Sequence, residues 1–218
     1  MNILVVGNDA EFKALERKFA GSHSLQHLLS SSQIDGFKDI DAVFDFNIAD
    51  QPEDIEAYLS EEGLNVFLNA PKISLAEMAF YQPEVNCNLY GFNGLPTFIE
   101  REILEVSALN NNGALETMCQ QLETDFEVVQ DRVGMVTPRI IFMIINEAYY
   151  TVQEGTATRE DIDQGMKLGT NYPFGPFEWA EKIGLDNVYE TLEAIYEDTK
   201  EERYKICPLL KREYLLLN

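Results

Sequence analysis

The chain has 218 residues, enough for one large domain or two modest ones, and its 45% hydrophobic and 25% charged content excludes collagen-like, low-complexity and wholly disordered classes. Sixteen lysines and arginines against 38 aspartates and glutamates leave a formal net charge of −22, which excludes a surface that attracts DNA, RNA or anionic lipid. The three cysteines, Cys87, Cys119 and Cys207, form no CxxC or Cys/His metal spacing and read as reduced thiols in a cytoplasm.

The N-terminus, MNILVVGNDA, lacks the basic and apolar regions of a signal peptide, and no run of about 18 apolar residues suggests a membrane span. Residues 2–6 read as a buried strand ending at Gly7, and Phe12, Leu15 and Phe19 recur at helical spacing over residues 10–20. Such a β-turn-α opening invites a dinucleotide-binding reading, whose fingerprint is G-x-G-x-x-G. Here the turn is Gly7-Asn8-Asp9-Ala10-Glu11-Phe12. Asp9 and Phe12 stand at the second and third glycine positions, so a side chain obstructs the backbone approach and a carboxylate faces the place of a phosphate.

The Ser- and Asp-rich stretch 21–41 carries one weak strand near residues 25–29 and is too short for a full β-α unit. It holds both histidines, His23 and His27, which read as surface or edge-strand residues, and residues 25–32 supply no acidic group at a second strand end. Further strands are expected at 42–46, 65–69, 86–92, 103–109 and 126–130, with helices at 52–60, 74–80 and 113–123. This alternation implies a mostly parallel sheet with flanking helices.

From Asp131 onward the pattern is helical. Pro138 suits a first turn, and Ile140, Ile141, Met143, Ile144, Ile145 and Ala148 make the next turns apolar on nearly all sides, as burial all round would require. Thr158 and Asp161 resemble a capping box opening a helix that ends at Gly169. A rigid turn at 171–176 and helices at 177–183 and 186–198 follow. Two domains are expected, an α/β one over 1–130 and an all-α one over 131–218. The first holds 22 carboxylates against six basic side chains, a poor long-range attractor for a polyanion such as a dinucleotide or coenzyme A.

The stretch DRVGMVTPRIIFMIINEAYYTVQEGTATREDIDQGMKLGTNYPFGPFEWAEKIGLDNV resembles the helical domain of 3-hydroxyacyl-CoA dehydrogenases over about residues 131–210. The first half is similar to the same family's cofactor domain in shortened form. The resemblance implies a Rossmann-like domain for NAD joined to a helical dimerisation domain. It also implies a general-base histidine before Phe-Phe-Asn-Pro, and the matching stretch is Tyr90-Gly91-Phe92-Asn93-Gly94. Tyr90 replaces that histidine. A phenol with a pKa near 10, against about 6.5 for imidazole, is a poor acceptor for an alcohol proton at neutral pH.

The family's orienting glutamate falls at Glu105, with Glu102 as competitor; both read more readily as strand-end surface charges without an imidazole to orient. The substrate-contacting asparagine falls at Pro138, which cannot donate a hydrogen bond, and the serine of the Asn-Thr-Ser-Ser turn falls near Pro71 or Lys72, leaving Ser74 displaced. Gly7, Asp45, Asn69 and Asn93 keep the shape or polarity of the family's cofactor cleft, though each also reads as an ordinary turn or strand-end residue. Residues 21–41 leave no room for the helical hairpin that holds coenzyme A, and the family's Gly-rich C-terminal tail has no counterpart.

Three readings follow. The favoured one is a catalytically degenerate relative, a cytoplasmic homodimeric scaffold that holds a partner, an acyl-CoA or another small molecule in the old cleft. The alternative is an active NAD-dependent 3-hydroxyacyl-CoA dehydrogenase of fatty acid or butanoate metabolism. A third makes Tyr90 and Lys72 a substitute acid/base pair, since a nearby ammonium lowers a phenol pKa.

Overall fold

The computed structural model describes residues 1–19, 21–80, 82, 84–109 and 112–217. It divides into two compact units, 1–135 and 136–218.

In the first unit, strands β1 (Asn2–Val6), β2 (Ser24–Leu28), β3 (Ala42–Asp45), β4 (Asn65–Asn69), β5 (Asn88–Phe92), β6 (Ile103–Ala108) and β7 (Asp125–Val128) form one sheet in the order β2-β1-β3-β4-β5-β6-β7. All neighbours are parallel except β5 and β6, which run antiparallel with Tyr90 opposite Ala108 and Phe92 opposite Val106. Helices α1 (Asp9–Phe19), α2 (Leu75–Phe80) and α3 (Asn112–Gln121) accompany the strands. The central strands are mostly apolar, with polar residues such as Asp45 and Asn69 at their ends, because both faces are covered. Ile3, Val5, Phe44, Phe67, Phe92 and Val106 pack with Leu15, Phe19, Leu115 and Met118. Leu4, Val6, Val43, Val66 and Leu68 belong to the opposite face with Ile55, Tyr58, Leu75 and Met78.

Several boundaries differ from the sequence reading. The expected helix at 52–60 is a 3-10 helix, Pro52–Ala57, followed by turns. The stretch between β2 and β3 contains a single 3-10 turn, Ser31–Gln33, so the abbreviation read there is real. The helix read at 10–20 begins one residue earlier, and Ala20 lies outside the described residues. Asp131, read as the start of the helical half, sits in the first unit. Its carboxylate accepts from the Leu75 and Ala76 amides at 2.8 and 2.9 Å and so caps α2.

The second unit contains α4 (Thr137–Gln153), α5 (Arg159–Thr170), α6 (Pro176–Ile183), α7 (Leu185–Thr199) and α8 (Pro208–Tyr214). Pro138 stands in the first turn of α4, where a missing amide hydrogen costs nothing. Within the chain, α4 buries Ile141, Phe142 and Ile145, while Ile140 is 56% exposed. The Thr158 box forms only in part: Thr158 Oγ1 accepts from the Asp161 amide, but the Asp161 carboxylate turns to the Thr158 hydroxyl at 2.8 Å instead of the backbone. Asp163 of α5 accepts from the Phe177 and Glu178 amides at 2.8 and 3.1 Å, and its side chain fills the space a β-carbon on Gly175 would take. Among the described residues, no helix is long and apolar enough to cross a membrane.

Candidate functional site

An open α/β sheet binds ligands beyond the carboxyl ends of its strands, where the strand order changes direction. In this sheet that point lies between β1 and β3, since β2 lies on one side of β1 and β3 on the other. Gly7 follows β1 and donates to the Leu28 carbonyl at 3.0 Å. His27 Nε2 lies 2.8 Å from the Gly7 carbonyl, so that nitrogen carries the proton, and the ring stacks on Phe12 at 4.5 Å. His23 reaches the Leu122 carbonyl at 3.0 Å. The histidines therefore sit at the β2 edge, as expected, and neither stands at the end of β5.

The carboxylate at the opening turn is that of Glu11, whereas Asp9, which the sequence placed there, is 83% exposed. Asn8 Oδ1 accepts from the Ala10 and Glu11 amides at 2.8 and 3.1 Å, while Glu11 Oε2 accepts from the Asn8 amide at 2.7 Å. This is a reciprocal capping box that satisfies the opening amides of α1 from within the chain. Burial pushes the Glu11 carboxyl above its ordinary value, and Asp50 and Asp45 add to that, against the Asn8 amide and His27.

Phe46, just after β3, fills the space beside this turn. A β-carbon on Gly7 would meet Glu11 Oε2 at 2.5 Å and Phe46 Cβ at 3.1 Å, and one on Gly94 would meet Phe46 Cε1 at 2.9 Å. The ring is 3% exposed and stands edge-on to Phe92 at 5.0 Å. A pyrophosphate needs bare backbone at this turn, and here Glu11 and Phe46 occupy the approach. The residues present do not fit a dinucleotide seated in the usual way.

Of the other predicted residues, Asp45 is fully buried: it accepts from the Tyr58 hydroxyl at 2.6 Å and the Asn47 amide at 2.8 Å, and burial raises its pKa to about 6. Asn69 Oδ1 accepts from the Gly94 amide at 2.9 Å. Asn93, 2% exposed, donates through Nδ2 to Glu105 Oε2 at 3.0 Å and leaves its own Oδ1 without a partner. Asn69, Asn93 and Glu105 thus gather at the ends of β4 to β6. Of the two candidate glutamates, Glu105 is 9% exposed and Glu102 lies on the surface. Glu105 is therefore not the surface charge the sequence suggested. Burial lowers the Arg101 guanidinium from its usual range, and the Glu105 carboxylate opposes that shift.

Tyr90 joins none of this. Side chains alternate along a strand; Tyr90 and Phe92 share one face with Leu104 and Val106, which puts Glu105 on the other. The Tyr90 hydroxyl points to Asn65 Oδ1, 3.5 Å away at the start of β4, and burial pushes its pKa up to about 12. Lys72, three residues past the opposite end of that strand, faces Asp50 at 3.4 Å, so the Tyr90–Lys72 pair does not form. Ser74 accepts from the Glu77 amide at 3.2 Å as a helix cap. Sequence reasoning missed Glu11, although Asn-x-x-Glu ahead of an apolar-periodic run is a capping-box signal. Phe46 carried no signal of its own.

Residues 134–215 match the model of the 3-hydroxyacyl-CoA dehydrogenase C-terminal domain. A 3-hydroxybutyryl-CoA dehydrogenase of Clostridioides difficile is 28% identical over 86% of this chain and 70% of its own length. The chain is thus similar to the 3-hydroxyacyl-CoA dehydrogenases, and its residues 134–215 carry that family's C-terminal domain. A probable 3-hydroxybutyryl-CoA dehydrogenase of Bacillus subtilis is 32% identical over 66% of this chain, and the match spans only 52% of that relative. The crystal structure of FadB2 from M. tuberculosis shares the fold at a TM-score of 0.72, with 20% identity over 98% of this chain and 85% of that one. The Rossmann sheet with helical domain expected from the sequence is therefore the fold of this dehydrogenase family.

Proposed function

We propose that this chain is a catalytically degenerate member of the 3-hydroxyacyl-CoA dehydrogenase family and acts as a binding or scaffold protein. The observation that carries the reading is Tyr90. It stands where the resemblance puts the general base, yet its hydroxyl is buried, points to the opposite end of β4 and is a weak acid with a pKa of about 12. A neutral phenol there takes no proton from an alcohol, and loss of a positioned base typically costs about 10²–10⁴ in rate. The closed opening turn supports the same reading, since NAD would lack its phosphate seat. The protein on this view works as a cytoplasmic homodimer joined through its helical unit, with an acyl-CoA or other small molecule as its ligand.

The second reading, an active NAD-dependent 3-hydroxyacyl-CoA dehydrogenase, is favoured by the names of the relatives. Acetoacetyl-CoA-dependent oxidation of NADH separates the two. The degenerate reading expects no turnover above the uncatalysed rate with micromolar protein, and saturable turnover refutes it.

A further inference from the structure

We infer that the Asn8–Glu11 capping box closes the opening turn against diphosphates and that Glu11 is the residue that decides the exclusion. This rests on the family reading, because it concerns the turn where that family's cofactor would place its diphosphate.

The α1 N-terminus is where a phosphate would find free amide donors and the positive end of the helix dipole. Here the Asn8, Ala10 and Glu11 amides are all taken by side chains of Asn8 and Glu11. The Glu11 carboxylate also stands in the space above Gly7, within 2.5 Å of where a β-carbon would be. It is thus both a steric occupant and a fixed negative charge at the one place a diphosphate must enter. Asp45 and Asp50 lie close enough to act on Glu11, so the surroundings repel an anion further. Asn8 alone would leave the Asn8 amide and the space over Gly7 open. With alanine at position 11, the helix keeps its Asn8 cap and the turn regains the room that the carboxylate takes.

The test is titration of the full-length chain with inorganic pyrophosphate and with ADP, read by calorimetry and by the backbone amide shifts of Asn8, Ala10 and Glu11. The wild-type protein should give no saturable heat at millimolar ligand and no shift of those amides. Glu11→Ala should gain affinity by roughly tenfold or more, the scale of one charge-assisted hydrogen bond, with shifts confined to the turn. Glu11→Gln keeps an acceptor for the Asn8 amide but loses the charge, and should gain a smaller, several-fold improvement. If Glu11→Ala does not fold by circular dichroism, Glu11→Gln decides. Saturable wild-type binding that shifts these amides overturns the inference, and so does a folded Glu11→Ala that binds no better than wild type. Turnover of NADH by the wild-type protein without those shifts would refute catalytic degeneracy and leave this inference standing. A Glu11→Ala indifferent to pyrophosphate in an inert protein does the reverse.

Discussion

Replacing Asp45 with asparagine isolates the cost of a buried carboxylate. Asp45 is fully buried in β3, and burial lifts its pKa from an ordinary 3.8 to about 6 despite the Tyr58 and Asn47 hydrogen bonds. A carboxyl whose folded pKa exceeds its unfolded pKa binds its proton more tightly in the native state, so this group weakens the fold when ionised. The penalty is fully present above about pH 6 and fades as pH falls from 6 towards 4, the interval between the two values. That interval corresponds to about 3 kcal/mol as an upper figure. Asparagine keeps a carbonyl acceptor and carries no charge, so Asp45→Asn should be at least as stable as wild type at pH 7.5 and lose that advantage near pH 4. Urea melts of both proteins at half-unit steps from pH 7.5 to 4 measure it, and their difference cancels the effect of the remaining acidic surface. Parallel stability curves across pH 4–6 would refute a buried ionised Asp45.

Other substitutions test the rest of the site. Glu105→Ala leaves the buried Asn93 amide without its partner and should cost about 1–3 kcal/mol in a denaturant melt, whereas Glu105→Gln keeps an acceptor and costs less. Phe46→Ala should destabilise by about 3–5 kcal/mol if the ring is packed between Gly7 and Gly94, and a change under 1 kcal/mol would contradict that placement. Tyr90→Phe removes only a 3.5 Å contact to Asn65 and should shift the melting curve by less than about 1 kcal/mol. Tyr90→His should destabilise the apolar face around Phe67 and create no acetoacetyl-CoA reductase activity, since the site faces away from Glu105.

Much of the fold was readable because the signals are local. Continuous apolar runs marked the buried parallel strands, and the switch to helical spacing, read from Asp131 onward, fell a few residues before the second unit's start at Val136. The 3-10 helix at Pro52–Ala57 was misread because apolar spacing does not distinguish helical hydrogen bonding in so short a segment. The site was less readable. Gly7, Asn69 and Asn93 lie near the strand ends, but Asp45 turns to Tyr58, a partner 13 positions away that no local pattern specifies. The face that Tyr90 takes was not readable, because a motif match gives position along a strand, while the face follows from the pairing with β6. Asp9 was assigned the role of Glu11 because the glycine fingerprint was applied to a turn that follows capping-box chemistry.

The grip of Asp131 on α2 bears on where the first unit can be cut. Beyond β7 the chain returns to that helix, and the Gly134 amide then donates to the Pro71 carbonyl at 2.7 Å, just past β4. A fragment ending at Gln130 would take the Asp131 acceptor from the Leu75 and Ala76 amides, leaving α2 only its Ser74 cap, and would remove the Gly134 donor from the Pro71 carbonyl, whereas one ending at Met135 keeps both anchors. The five residues between those ends act as a clasp on the sheet, and an isolated first half should be expressed with them.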